Sequence, residues 1–263
     1  MENENKKITL DETAFIIGSG PSLNKIDMSL IKDLDTFGMN RQYIAFEDWG
    51  FEPKYYCIID RLLVREIFKT DVVNKFAKNP ECTIEKFFIS NNYTNNENKK
   101  IIDIPANTEH FHGGEICKKI GIDKITKLHL TTKVDAKPSM WFFSYGNCGM
   151  FATNLAYMLG YKRAVLLGMD CRYGRRNESI AKGEDLEHFH PNYFDPKTFS
   201  EGKTHGPSDP DGGLLHWHKF IKWMGVTTRR NGIDFEIISS SPDSSLHEFI
   251  EYVPLEDVLN GKV

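Results

Sequence analysis

The chain has 263 residues, 40% of them hydrophobic, with a formal net charge of −4 and a pI near 6.2. That length supports a substantial core, and the acidic balance excludes a general grip on phosphate backbones, so no nucleic-acid partner is expected. Five scattered cysteines, with no CxxC pair, exclude a disulfide framework and a zinc knuckle and point to a reducing, cytoplasmic setting.

The polar opening MENENKK lacks the apolar stretch of a secretion signal, and no later run is long enough to span a bilayer. A soluble protein is expected, with peripheral work beside a membrane left open. Short β-branched and aromatic runs then recur in chain order: TAFIIG, DTFGMN, KYYCIID, EKFFIS, AVLLGMD and DFEIIS. Helical patterns fall between them at 61–78 (Leu62, Ile67, Val72, Phe76), 148–159 and 213–225, where Leu214, Trp217, Ile221 and Met224 share a face. This alternation predicts a Rossmann-like α/β fold, a mostly parallel sheet with helices on both faces, in a single domain over 1–263. Residues 91–100, NNYTNNENKK, read as a polar loop. Residues 171–212, rich in Pro, Gly and His with little periodicity, read as a lid-like insertion.

Chemistry concentrates where strands end. In AFIIGSGPSL, Gly18 and Gly20 follow a strand, where glycine lets the backbone turn sharply and approach an anion; Ser19, Pro21 and Ser22 complete the turn. The order G-S-G-P-S-L has Leu23 where a dinucleotide fingerprint has its third glycine, and there is no G-K-[ST]. An ordinary NAD site or P-loop is therefore excluded, and a plain βα turn remains the alternative. Asn40 follows the second strand run, able to bond a ribose and a base edge or to cap the next segment. Asn147 and Cys148, in SYGNCGM, open an apolar helix whose N-terminus would favour an anion, with a simple N-cap as the alternative. Asp170 ends AVLLGMD at a strand's carboxyl end, suited to a ribose, a base amino group, a metal or a turn cap.

Histidines gather downstream: His188 and His190 in HFHPNYF, His205 in THGP, His216 and His218 in LLHWHKF. H-x-H on a helix splays its rings to different faces, which disfavours zinc, whereas a neutral imidazole suits deprotonation of a hydroxyl. The Asp-Pro-Asp of SDPDGG reads as a cap for the helix near Gly213 or as two carboxylates for Mg²⁺. In the tail IISSSPDSSLHEF, read as strand, turn and helix, Ser241 or Ser244 serves as a cap.

The motifs GSGPSL, GMN, LGYKRAVLLGMD, HFHPNYF and SSPDSSLHEF, in this order from about Ala14 to Leu259, resemble one bacterial superfamily. It contains sialyltransferases that use CMP-sialic acid, motility-accessory-factor-type glycosyltransferases and 6-hydroxymethylpterin diphosphokinase-like proteins. The resemblance implies a glycosyltransferase moving a nonulosonic acid from a CMP donor to a carbohydrate acceptor, for cell-surface polysaccharide. It further implies a histidine base in the long loop, His188 or His190 by competing alignments and preferably His188. Tyr193 becomes the hydroxyl that helps the phosphate leave, with His205 and Tyr173 in reserve. Gly18, Ser19, Gly20, Pro21, Ser22, Asn40, Asn147, Cys148 and Asp170 become the donor-binding residues, although the sialyltransferases have asparagine where Ser19 stands. No cofactor is then obligatory. The same resemblance also admits an ATP-dependent pyrophosphate transfer needing Mg²⁺ at Asp170 and Asp-Pro-Asp, and a non-catalytic nucleotide-binding module is a third reading.

Overall fold

The computed structural model describes residues 7–58, 81–90, 108–111, 147–172, 174–194 and 212–263. Within them, strands β1 (Thr13–Ile17), β2 (Thr36–Met39), β3 (Tyr55–Ile58), β4 (Lys86–Ser90), β5 (Thr108–Phe111), β6 (Arg163–Leu167) and β7 (Glu236–Ser239) form one sheet. Its order is β5-β4-β3-β2-β1-β6-β7, and every neighbouring pair is parallel. The α/β architecture expected from the apolar runs is the one observed, with β5 added at an edge.

The strands are apolar at consecutive positions because both faces of the sheet are covered. On β1, Ala14 and Ile16 point into one cluster and Phe15 and Ile17 into the other; on β6, Ala164 and Leu166 oppose Val165 and Leu167 in the same way. All eight are fully buried, and each of the larger ones contributes about 1.5–3 kcal/mol of transfer free energy, so the β1–β6 pair is the firmest part of the sheet.

Among the described residues, five helices accompany the strands: α1 (Phe46–Trp49), α2 (Cys148–Met158), α3 (Arg176–Lys182), α4 (Gly212–Asn231) and α5 (Leu255–Leu259). The first cluster lies under α2 and α4. Helix α2 is buried along nearly its whole length, and Gly149, Ala152 and Ala156 keep it slim enough to sit close to the strands. Helix α4 buries Trp217, Phe220, Trp223 and Met224. It runs past the expected end at 225 to Asn231, where Gly232 turns the chain with a φ of 63°. The second cluster is closed by 3₁₀ turns at Pro21–Lys25 and Met28–Ile31, by α5, and by Phe189 and Tyr193 of the long insertion.

Two expectations need correction. The insertion is not wholly irregular, since it contains α3, ended by Gly183 at a φ of 71°. The tail's helix is a single 3₁₀ turn, Ser245–Glu248, with Ser244 capping it by accepting from the Leu246 amide at 3.1 Å. The expected helix at 61–78 and loop at 91–100 lie outside the described residues. Among the described residues, no helix is long and apolar enough to cross a membrane.

Candidate active site

The strand order reverses between β1 and β6, and the carboxyl ends of strands at such a reversal are the usual ligand position in open α/β sheets. The glycine turn leaves β1 and residues 168–170 leave β6, and the two are laced together. The Gly18 amide donates to the Leu167 carbonyl at 2.6 Å, and the Gly20 amide to that of Gly168 at 2.8 Å. A Cβ on Gly18 would lie 2.4 Å from the Gly168 oxygen and 2.8 Å from Met169 Sδ; one on Gly20 would lie 2.5 Å from Asp170 Cγ. Both positions are glycine because residues 168–170 occupy the space of a side chain. Their amides are engaged with β6, so the anion-facing donors expected from the motif are not these two. Pro21 starts the 3₁₀ turn.

Asp170, 7% exposed, explains the rest of the motif. Its Oδ2 accepts from the Ser22 amide at 2.8 Å, and its Oδ1 accepts from the Ser22 hydroxyl. Both carboxylate oxygens are thereby committed to holding the turn, which favours the cap among the roles open to Asp170. The segment is held from behind by the tail serines. Ser241 Oγ donates to the Leu166 carbonyl and accepts from the Met169 amide, and Ser244 Oγ donates to the Met169 carbonyl at 2.6 Å.

Gln42 was not anticipated. Fully buried, it donates from Nε2 to the carbonyls of Ile17 and Gly18, both at 2.6 Å, and accepts from the Met39 amide at 2.8 Å. Just before it, Asn40 adopts a φ of 56°, and its Oδ1 is buried without a partner among the described residues. A buried amide oxygen in that state is an acceptor awaiting a donor. The Asn40 amide and the Cys148 thiol donate to the same carbonyl, Cys57, at 3.1 and 3.2 Å, which sets Asn40 beside the start of α2. Cys148 is buried and spent in that contact. Asn147 is the N-cap of α2, accepting from the Met150 amide at 3.0 Å, and Met169 packs where a Cβ on Gly149 would stand.

The segment Asp185–Phe194 is stapled over the glycine turn. The Phe189 amide donates to the Ser19 carbonyl at 2.9 Å, Asn24 Nδ2 donates to the Phe189 carbonyl at 2.8 Å, and Arg41 donates to the Tyr193 carbonyl at 3.0 Å. Tyr193, 1% exposed, places its hydroxyl 3.0 Å from Ser19 Oγ and 3.4 Å from the Arg41 amide, and burial pushes its ionisation up to about 12. Either hydroxyl of the Ser19–Tyr193 pair can be the donor. His188 stacks flat on Tyr193 with ring centroids 4.2 Å apart, and its Nδ1 lies 2.8 Å from Asp185 Oδ2. His190 instead supports a local turn, with its Nδ1 accepting from the Asn192 amide at 3.1 Å. Asp185, unanticipated, had a sequence signal in D-x-x-H. Tyr173, His205 and Asp-Pro-Asp lie outside the described residues. Among the described residues, no group of three His, Cys, Asp or Glu side chains is placed to hold a metal ion.

The chain is thus a doubly wound α/β protein in which a histidine-bearing segment docks on the first βα turn. No family model and no curated protein sequence matches the chain. Among solved structures it is similar to the sialyltransferase CstII from Campylobacter jejuni in complex with the substrate analogue CMP-3FNeuAc, with 19% identity and a TM-score of 0.51 over 92% of this chain and 86% of that one. A structure of the same enzyme with cytidine-5'-monophosphate gives 20% identity and a TM-score of 0.50 over 92% and 85%; a single-residue variant of it with CMP gives 17% and 0.52 over 92% and 86%. The chain thus has the fold of these sialyltransferases, as the motifs led one to expect.

Proposed function

We propose that the protein is a glycosyltransferase that moves a sialic-acid-like nonulosonic acid from a CMP donor to a hydroxyl of a carbohydrate acceptor. The observation that carries this reading is the docking of HFHPNYF on the glycine turn, which sets His188 one ring away from Ser19 and the backbone beside Asn40. The shared fold, with CMP compounds bound in the similar enzyme, supports the choice of donor. In the reaction His188 takes the proton of the acceptor hydroxyl, whose oxygen bonds to the anomeric carbon. The bond from that carbon to the phosphate oxygen breaks, and CMP leaves with the electron pair. Asn40 offers its unpartnered Oδ1 to the nucleotide, and Asn147 keeps its amide nitrogen for the donor. Such a donor carries one phosphate, so the chemistry needs no metal to bridge two.

The test measures CMP release from a CMP-nonulosonic acid with an oligosaccharide acceptor, beside a thermal-shift panel of CMP, CDP, UDP, GDP and ATP with and without Mg²⁺. A ligand at a hundred times its dissociation constant stabilises the native state by about 2.7 kcal/mol. CMP should give the largest shift, and His188→Ala should lower turnover by about 10²–10⁴ with CMP affinity retained, while His190→Ala is milder. A Mg²⁺-dependent shift with ATP alone would move the assignment to pyrophosphate transfer; a CMP shift with no transfer would leave a binding module.

A further inference from the structure

The two histidines that compete for the role of base are held by opposite kinds of neighbour. The Asp185 side chain is completely buried. Its Oδ1 accepts from the Glu187 amide at 2.9 Å, and its Oδ2 accepts from the Phe194 amide at 3.0 Å and faces His188 Nδ1 at 2.8 Å. A carboxylate surrounded in this way only accepts, so Nδ1 of His188 must be the donor. In a neutral imidazole the hydrogen on Nδ1 leaves the lone pair on Nε2. The ring cannot turn to offer its other nitrogen, because it lies flat on Tyr193 and edge-on to Phe194 at 5.1 Å. At His190 the logic reverses. The Asn192 amide is a donor, so Nδ1 there holds the lone pair and Nε2 carries the hydrogen.

We propose that Asp185 is the positioning residue of the site, fixing His188 with Nε2 as its basic nitrogen, and that the Asn192 amide fixes the opposite tautomer in His190. Two histidines separated by one residue are thereby sorted into one base and one hydrogen-bond donor. The catalytic half of this inference rests on the glycosyltransferase reading; the tautomers do not.

The experiment combines long-range ¹⁵N–¹H correlation spectra of ¹⁵N-histidine-labelled protein with turnover of CMP-nonulosonic acid. In spectra of the neutral rings, His188 should show the Nδ1–H pattern and His190 the Nε2–H pattern, each assigned by loss of its signals on replacement with glutamine. In Asp185→Ala Nδ1 loses its carboxylate partner, so His188 should lose the fixed Nδ1–H pattern and populate the Nε2–H form. Turnover should then fall by about 10²–10⁴ while the thermal shift with CMP persists. A part confined to holding the loop would lower the melting temperature and leave the tautomer unchanged. An Nε2–H pattern at His188 in the parent, or an Asp185→Ala variant with parental tautomer and turnover, overturns the proposal. If Asp185→Ala does not fold, the parent spectrum alone decides the tautomers. If the parent transfers no sugar but shows the two opposite tautomers, the assignment of function has failed and the positioning by Asp185 stands.

Discussion

Gly18→Ala separates two reasons for a glycine at the end of β1. If the glycine exists so that a ligand can approach the backbone, a methyl group there weakens nucleotide binding and leaves the fold alone. The structure gives the other reason. The new Cβ would stand 2.4 Å from the Gly168 oxygen and 2.8 Å from its carbonyl carbon, backbone atoms held in place by the Gly18 and Gly20 amides and from behind by Ser241 and Ser244. Overpacking costs about 1–3 kcal/mol, and with backbone as the obstacle the cost falls at about 2–3 kcal/mol. For a chain of this size each kcal/mol lowers the melting temperature by about 2–4 °C, so a fall of about 4–12 °C is expected. Gly149→Ala is the control. Its Cβ meets the end of the Met169 side chain at 2.5 Å, which can swing away, and the expected fall is about 2–4 °C. Differential scanning calorimetry of both variants, with and without CMP, reads the result. A Gly18→Ala protein that melts with the parent but has lost its CMP shift would refute the packing argument.

Tyr193→Phe should lose the bond to Ser19, at a cost of about 1 kcal/mol read from the melting temperature. Burial raises the Tyr193 hydroxyl from its ordinary value of 10.0 to about 12, so the folded state holds that proton more tightly than the unfolded chain does. The resulting stability is complete below about pH 10 and drains away as the pH rises through about 12; burial also raises Tyr56 and Tyr161, so the phenylalanine variant should show a smaller alkaline loss than the parent when melting is followed against pH. Turnover with a CMP donor should persist in EDTA; full loss with rescue by Mg²⁺ would contradict the single-phosphate mechanism.

The strands that could be read from the sequence were those whose two buried faces force apolar residues at successive positions, such as TAFII and RAVLL. Strand β5, TEHF, is a short edge segment with a charged residue and a histidine, so it carries no such signature. Helix α3 was missed for a related reason: RNESIAK leaves Ile180 40% exposed and buries Ser179, an inversion of the amphipathic pattern. Of the site, glycines and histidines were conspicuous by type, but their jobs depended on partners far along the chain. Asp170 is 148 residues from the serine it holds, and Gln42 acts on carbonyls that give no sequence signal. Asp185 lies only three residues before His188. That spacing pairs a carboxylate with an imidazole only once the loop has closed, and no periodicity announces the closure.

The pairing of β1 with β6 bears on how the chain assembles its sheet during synthesis. Thr13 lies beside Arg163, so the inner edge of β1 stays unsatisfied until more than half of the polypeptide has emerged. Domains generally form as units and long-range pairings form slowly, so a nascent chain carrying β1 to β5 would expose a bare apolar strand edge, a template for pairing with other chains. The serines at 240–244, which grip residues 166–170, arrive later still. Closure of the sheet at β1 and β6 is therefore a late event, and chaperone dependence in the cell should track the interval between the appearance of β1 and the arrival of its second neighbour.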